Sequence, residues 1–406
     1  MRYPFMILSC GILSIGTGLN SAIADEGHRH GPFMTNQSDL PTHGAEKSDV
    51  QSGDNLIDIY GKFWLLLEYN NPGPSGRKNA TLTSDKSRLG FRGNKSIATD
   101  YKLFWQVESF IDLDNISVEG EEHPGNGSEL AGADSFIGVN GPFGSVMGGK
   151  HMTPYRSTAH NWDVFSHRPG DSSIVLGRLP HIKNPYDHHG NVMPMRLPNT
   201  LLYATNYREG FNAMVSYNFL NENPGHLKAG SGNPGAYSLN FSYGKGPLSV
   251  FFAHEGHRNL DVYQVGHDPG PLDVVIDRLN GTLLGGMYHF PNLMITLIAE
   301  QLKVKDNNPA ILGDKRTAVH ASTELTLGQW RLRLAGGQAG DFVESTGGGY
   351  FALGGAYKFN QEVEVFTVFT RFANDKEASY GTFHVDPAVE GEDPSTLAVG
   401  VSYIFR

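Results

Sequence analysis

The chain has 406 residues, a formal net charge of −10, 50 glycines and a single cysteine, Cys10. Outside the N-terminal segment, no stretch provides the roughly 18 consecutive apolar residues that a transmembrane helix needs, which excludes a bundle of such helices. Cys10 lies in the N-terminal segment, so a fold stapled by disulfides is excluded as well. Abundant glycine and aromatic residues without a repeating period fit many short strands and tight turns.

The N-terminus has the three parts of a secretory signal. Arg2 supplies a positive charge, Phe5 to Leu19 is largely apolar, and Ala22-Ile23-Ala24 matches a small-residue cleavage site. We therefore predict that residues 1–24 are a signal peptide and that the protein is exported. A membrane anchor is the alternative, but the apolar run is short and interrupted by glycines.

A polar, aperiodic segment follows the signal, and we predict that residues 25–54 are a disordered linker. It contains His28, His30 and His43. A metal-scavenging tail is the alternative interpretation. Isolated histidines in a mobile tail lack the convergent geometry of a metal site, so neither a metal nor a cofactor is assigned.

A β-strand pattern begins at Leu56, where apolar side chains alternate with polar ones such as Asp58, Lys62 and Glu68. The alternation recurs to the end of the chain, with turn residues between the segments. Sixteen segments follow this pattern, at residues 56–69, 86–94, 101–109, 133–140, 145–152, 201–207, 211–219, 235–244, 247–256, 281–290, 293–304, 317–327, 330–339, 349–359, 362–372 and 396–405.

Short and long connections alternate between these segments. Two-residue turns typical of β-hairpins alternate with longer connections at 70–85, 112–132, 153–198, 221–235, 258–278, 305–315 and 376–394. Short turns on one rim and long loops on the other are typical of bacterial outer-membrane barrels. We therefore predict an all-β fold over residues 55–406: a 16-stranded antiparallel transmembrane β-barrel with a wet lumen in the bacterial outer membrane. A β-sandwich fits the composition too, whereas the absence of sequence repeats rejects a propeller.

The longest connection follows the hairpin at Ala133–Met152. Between Thr153 and Leu197 it contains five histidines and five prolines and has no sustained period. A structureless loop of this length in a compact domain is usually functional. In a barrel, it is expected to fold into the lumen.

Three stretches resemble the Gram-negative general porin family: RLGFRG (Arg88–Gly93), DSFIGVNGPFGSVMGGKHMTP (Asp134–Pro154) and AVGVSYIF (Ala398–Phe405). The resemblance covers roughly Leu56 to Arg406. It implies sixteen strands, a homotrimer and a third external loop that forms the constriction. The family usually ends on an aromatic residue, whereas here Arg406 follows Phe405.

A pore of this kind selects solutes at a narrowing that is lined by charge. Strand parity places four basic residues on lumen faces: Lys62, Arg88, Arg92 and Lys102. The inward loop supplies four more charges: Arg156, Asp163, Arg168 and Asp171. We expect the wall cations to face the loop carboxylates, producing a transverse field through which ions and small hydrophilic solutes diffuse passively.

The loop histidines suggest a second hypothesis, because imidazole titrates near physiological pH. The candidates for a pH-sensing loop are His160, His167, His188 and His189. Binding of a metal by His188 and His189, or simple solvation of all four, are the alternatives.

Other functions receive less support from the sequence. No G-x-S-x-G motif marks a nucleophile, so no enzyme is expected. A substrate-selective channel of the same fold and a non-conducting adhesin or structural barrel are the alternatives to a passive pore. Expected partners are outer-membrane lipids, lipopolysaccharide and further copies of the chain, without nucleic acid.

Overall fold

The computed structural model describes residues 54–84, 86–113, 130–179, 182–183, 191–193, 196–219, 235–264, 272–305 and 313–405. The predicted signal peptide, almost all of the predicted linker, His188, His189 and Arg406 lie outside these residues. No helix in the described ranges is long and apolar enough to cross a membrane.

Within the described residues, eighteen strands form one antiparallel sheet. They are β1 (Asn55–Asn71), β2 (Asn79–Thr83), β3 (Arg88–Ala98), β4 (Tyr101–Phe110), β5 (Ser135–Gly141), β6 (Gly144–Met152), β7 (Ile182–Lys183), β8 (Arg196–Ala204), β9 (Phe211–Asn218), β10 (Gly235–Lys245), β11 (Leu248–Gln264), β12 (Leu272–His289), β13 (Leu293–Lys305), β14 (Lys315–Leu327), β15 (Trp330–Ala339), β16 (Gly348–Lys358), β17 (Val363–Asn374) and β18 (Ser395–Phe405).

The sheet closes on itself because β1 pairs with the last strand, from Gly61↔Phe405 to Asn71↔Ser395. β2 and β3 both pair with β1 and form two halves of one wall strand, and β7 belongs to the loop after β6. The wall is therefore a closed barrel of 16 strands, which confirms the predicted fold class. Closure leaves no unpaired strand edge, and a membrane-spanning sheet requires this.

The alternation of side chains separates an outer face from an inner face. On β1, Leu67 is 55% exposed while the neighbouring Glu68 is 1% exposed, so the apolar residue faces outward and the carboxylate faces the interior. The same parity holds along the other wall strands, where outward residues are large and apolar, such as Leu284 and Leu334. This is the arrangement expected between lipid and a polar lumen.

The second wall strand is interrupted between β2 and β3. Ser87 Oγ accepts a hydrogen bond from Trp64 N at 2.9 Å and donates one to Trp64 O at 2.9 Å. The Ser87 hydroxyl thus replaces the backbone hydrogen bonds that are missing where the wall strand is interrupted. It holds Arg88, the first residue of β3, on the inner face.

The predicted long connection at 258–278 is wrong, because most of it is strand. The ladder between β11 and β12 continues from Arg258↔Arg278 to Gln264↔Leu272. The backbone of Tyr263 also pairs with Lys183 of β7. This extension of the hairpin therefore reaches the loop that follows β6.

Candidate functional site

The loop after β6 begins with a helix, α1 (Pro154–Asn161). Thr153 Oγ1 accepts a hydrogen bond from Arg156 N at 3.2 Å and caps the helix. Pro154 occupies the first helical position, where no N–H is needed. All residues from 151 to 160 and from 169 to 179 are buried. The loop therefore packs inside the barrel, as predicted, although the helix itself was not predicted.

Glu300 of β13 is the main wall anchor of this inward loop. Its Oε1 accepts hydrogen bonds from Tyr155 Oη at 2.6 Å and from Gly177 N at 2.7 Å. Its Oε2 lies 3.1 Å from Arg316 Nη2. Arg316 in turn donates to the carbonyl oxygen of Val175. One buried carboxylate thus holds both the helix and the returning segment of the loop.

A second anchor joins Arg168 of the loop to Glu364 of β17. Arg168 Nη2 lies 2.5 Å from Glu364 Oε1. Arg333 Nη1 lies 3.2 Å from the same carboxylate oxygen, and Arg333 Nε lies 2.6 Å from Glu324. The wall therefore presents carboxylates to a basic loop residue at this point, which is the reverse of the predicted polarity.

The two loop carboxylates hold the loop's own backbone. Asp163 accepts hydrogen bonds from Phe165 N at 2.9 Å and from Ser172 N. Asp171 accepts them from His167 N at 2.7 Å and from Ser173 N at 2.9 Å. Asp163 also lies 3.6 Å from His320 of β14. Both carboxylates thus stabilise local turns.

Lys62 and Arg88 lie side by side on the inner face, directly opposite each other across β1 and β3. Lys62 Nζ lies 4.0 Å from the centroid of the Trp64 ring, and the Arg168 guanidinium lies 5.1 Å from the same centroid. Arg88 Nη1 is 3.6 Å from Glu108 Oε1. The structure therefore brings these two predicted wall cations to the inward loop.

Arg92 and Lys102 lie further toward the short-turn rim. Arg92 pairs with Asp58, with Nη2 and Oδ2 2.7 Å apart. Lys102 follows the tight turn between β3 and β4 and lies opposite Ser96. Neither is placed beside the Trp64 ring, where the loop arginine lies.

Four cations lie on the inward loop or on the wall beside it, and we call them the basic cluster: Lys62, Arg88, Arg156 and Arg168. Arg88 and Arg168 have the carboxylate partners described above. Lys62 and Arg156 form no ion pair with any carboxylate in the described part of the chain. The cluster therefore contains two basic side chains that are not paired with a carboxylate within the described ranges.

Two loop histidines lie beside the basic cluster. The ring centroids of His160 and His167 are 4.1 Å apart. Burial, followed by the charge of Arg156, lowers the pKa of His160 well below its ordinary 6.5. Burial, followed by the neighbouring His160, does the same to the pKa of His167. Both imidazoles are therefore neutral near pH 7.

The external loop between β17 and β18 also reaches the interior, which sequence reasoning missed. His384 Nδ1 lies 2.7 Å from Oε2 of the buried Glu68. Arg178 Nη1 of the inward loop donates to Gly381 O at 3.2 Å. Two loops thus meet inside the barrel. The sequence signal was weak, because a lone histidine in a long polar loop does not indicate its partner.

The sequence matches the family model described as Gram-negative porin over residues 48–377. The chain belongs to the Gram-negative porin family. This porin is 21% identical to major outer membrane protein P.IB of Neisseria gonorrhoeae over 295 residues, which cover 70% of this chain and 71% of that protein. It is 28% identical to the chitoporin of Vibrio furnissii over 112 residues, 27% of this chain and 29% of that protein.

A further match, 32% identical over 134 residues, is to P.IB of Neisseria sicca and covers 31% of this chain and 35% of that protein. The matches to the chitoporin and to this P.IB thus span about a third of each relative. Among solved structures, the anion-selective porin of Comamonas acidovorans has a TM-score of 0.71 at 18% identity, covering 86% of this chain and 99% of that one. OmpT of Vibrio cholerae in its trimer form has a TM-score of 0.61 at 15% identity, covering 86% and 99%.

At these identities the structural likeness shows the fold alone. Family membership and the closed barrel together place this porin in the outer membrane of a Gram-negative bacterium. The predicted family, fold and localisation are confirmed.

Proposed function

We propose that this porin is a passive diffusion channel that favours small anions. The observation that carries the proposal is the surplus of positive charge on the inward loop and on the wall beside it. In a confined lumen, fixed charges of one sign raise the local concentration of counter-ions and exclude ions of the same sign.

Lys62 and Arg156 are the residues that set this preference. Glu108 and Glu364 offset Arg88 and Arg168, whereas Lys62 and Arg156 have no carboxylate partner in the described ranges. The predicted transverse field is revised accordingly. Asp163 and Asp171 bind the loop backbone, so we assign the anion preference to the basic cluster.

Reversal potentials in planar bilayers test the proposal. We expect the wild-type porin to favour chloride over potassium in a KCl gradient, and the Lys62→Gln/Arg156→Gln double variant to lose most of that preference. Lys102→Gln is the matched control, since it removes a lysine of β4 that lies nearer to the short-turn rim and should cause a smaller shift. Equal shifts for Lys62→Gln and Lys102→Gln would contradict the assignment.

We also infer that the porin assembles as a homotrimer and has no catalytic role. The trimer form of OmpT, a protein with the same fold, supports the trimer, and the family and fold are those of a channel. Mass measurement of the purified protein in detergent tests the trimer. The alternatives of an adhesin and of a substrate-selective channel predict, respectively, no channels in a bilayer and a current that one class of solute blocks.

A further inference from the structure

The outer surface of β9 to β12 carries an unusual feature near the long-loop rim. Arg258 of β11 and Arg278 of β12 lie directly opposite each other in the ladder. Both side chains are exposed. Like charges at directly opposed positions destabilise a sheet. Neither arginine forms an ion pair with a carboxylate in the described part of the chain. Among the described residues, the pair therefore has no carboxylate to offset its charge.

The polarity of the outward-facing side chains increases along the wall toward the long-loop rim, and the two arginines lie at the polar end of this series. On the same face of β11 the order is Phe252, His254, Gly256 and Arg258. Phe252 and Arg258 are six residues apart, which corresponds to about 20 Å along a strand. The outward face thus passes from apolar to cationic within one strand, and the change occurs over a distance comparable to the thickness of the apolar band of such barrels.

Aromatic side chains lie directly below the arginines. Tyr237 faces Gly256 in the ladder, and a side chain at Gly256 would clash with the Tyr237 ring. Tyr237 Oη lies 3.2 Å from His254 Nε2, and His254 Nδ1 lies 2.9 Å from Thr282 Oγ1. This row of contacts holds the tyrosine beneath the arginine pair.

A cavity of about 260 Å³ opens between these groups. Arg258, Arg278 and Asn280 line one side of it, and Tyr217 and Tyr237 line the other. It combines two guanidinium groups, which bind phosphate oxygens bidentately, with two amphipathic rings of the kind found at membrane interfaces.

We propose that Arg258 and Arg278 bind the phosphate of an anionic outer-leaflet lipid, with Tyr217 and Tyr237 against the adjoining part of the headgroup. The site lies on the lipid-facing side of the wall, so it is separate from the basic cluster in the lumen. It gives a location to the lipopolysaccharide contact that the sequence predicted. The phosphate bridges the opposed arginines and removes their mutual repulsion.

Binding of bisphosphorylated lipid A to the purified full-length porin in neutral detergent tests the proposal. We expect the Arg258→Gln/Arg278→Gln double variant to bind roughly tenfold more weakly or worse. Arg371→Gln is the matched control: Arg371 is exposed near the same rim but has an acidic neighbour, Asp393, at 4.0 Å, and its loss should leave the affinity unchanged. Wild-type affinity in the double variant would overturn the proposal.

Two further probes identify the source of the phosphate. Lipid A stripped of its phosphates should bind wild type and double variant equally, and a persistent difference would overturn the role of the phosphate. Inorganic phosphate at the lipid's own concentration should not displace the lipid, and displacement would assign the site to free phosphate instead. If the glutamine variant fails to fold, the Arg258→Lys/Arg278→Lys variant replaces it. Its affinity should be several-fold weaker, because an ammonium group cannot bind bidentately, and unchanged affinity would overturn the site.

Discussion

Replacing Glu300 with alanine should release the inward loop without unfolding the barrel. The carboxylate binds Tyr155, Gly177 and Arg316 at 2.6, 2.7 and 3.1 Å, and both members of the ion pair are fully buried. Backbone hydrogen bonds to the neighbouring strands hold β13 in the wall. The substitution should therefore destabilise the packing of the inward loop and leave the barrel folded.

The magnitude follows from the charge that is left behind. Removing one partner of a buried ion pair costs about 3–5 kcal/mol, because the other charge stays buried without compensation. Even about 3 kcal/mol corresponds to a rise of more than a hundredfold in the population of the detached loop. Part of the cost should be recovered in the Glu300→Ala/Arg316→Ala double variant, which removes the unpaired charge as well.

Single-channel recording measures the effect directly. We expect Glu300→Ala to give a larger and noisier open-channel current than the wild type. Glu324→Ala is the matched control, because Glu324 pairs with Arg333 and Arg331 of the neighbouring wall strand and its loss should leave the loop in place. A folded Glu300→Ala barrel with wild-type conductance and noise would refute the anchoring role.

Three further predictions concern the two loops in the lumen. The lowered pKa of His160 and His167 means that the unfolded chain binds more protons than the folded one below about pH 6.5, so stability should fall as the pH falls through that value. Thermal denaturation at pH 7 and pH 5 should show a smaller loss in the His160→Gln/His167→Gln variant, and an equal loss would contradict the reasoning. Thr153→Ala should weaken the cap of α1 by about 1 kcal/mol, measured by limited proteolysis of the loop, while Thr153→Ser should match the wild type. His384→Ala and Glu68→Gln each remove one side of the His384–Glu68 contact and should raise the open-channel current equally, whereas a rise in only one of them would argue against the contact.

The lowered pKa values of His160 and His167 also restrict the pH-gating hypothesis. Two neutral imidazoles cannot change the field in the lumen near neutral pH, so we expect the current of the His160→Gln/His167→Gln variant to depend on pH between pH 7 and pH 8 as the wild-type current does. His188 and His189 lie outside the described residues, and their role stays a prediction.

The sixteen wall strands were predictable because lipid on one side and polar contents on the other impose a period of two on the sequence. The same logic placed Lys62 and Arg88 correctly on the inner face. The same reasoning failed for residues 258–278, because many residues of these strands are polar and their sequence resembles that of a loop.

The contents of the lumen were less predictable for two physical reasons. The helix Pro154–Asn161 is buried on nearly every side although most of its residues are polar, so its sequence lacks the division into an apolar and a polar face that produces a helical period. The partners of the loop are remote in sequence: Glu300 lies 145 residues from Tyr155 and Glu364 lies 196 residues from Arg168. Spacing along one chain carries no information about such contacts.

The reversal potential of the wild-type porin in a planar bilayer, under a KCl gradient at neutral pH, tests the central claim most directly. If the basic cluster controls permeation, single channels will open and the sign of the potential will show that chloride crosses more readily than potassium. A potential of the opposite sign, or a membrane that stays silent, would contradict the account.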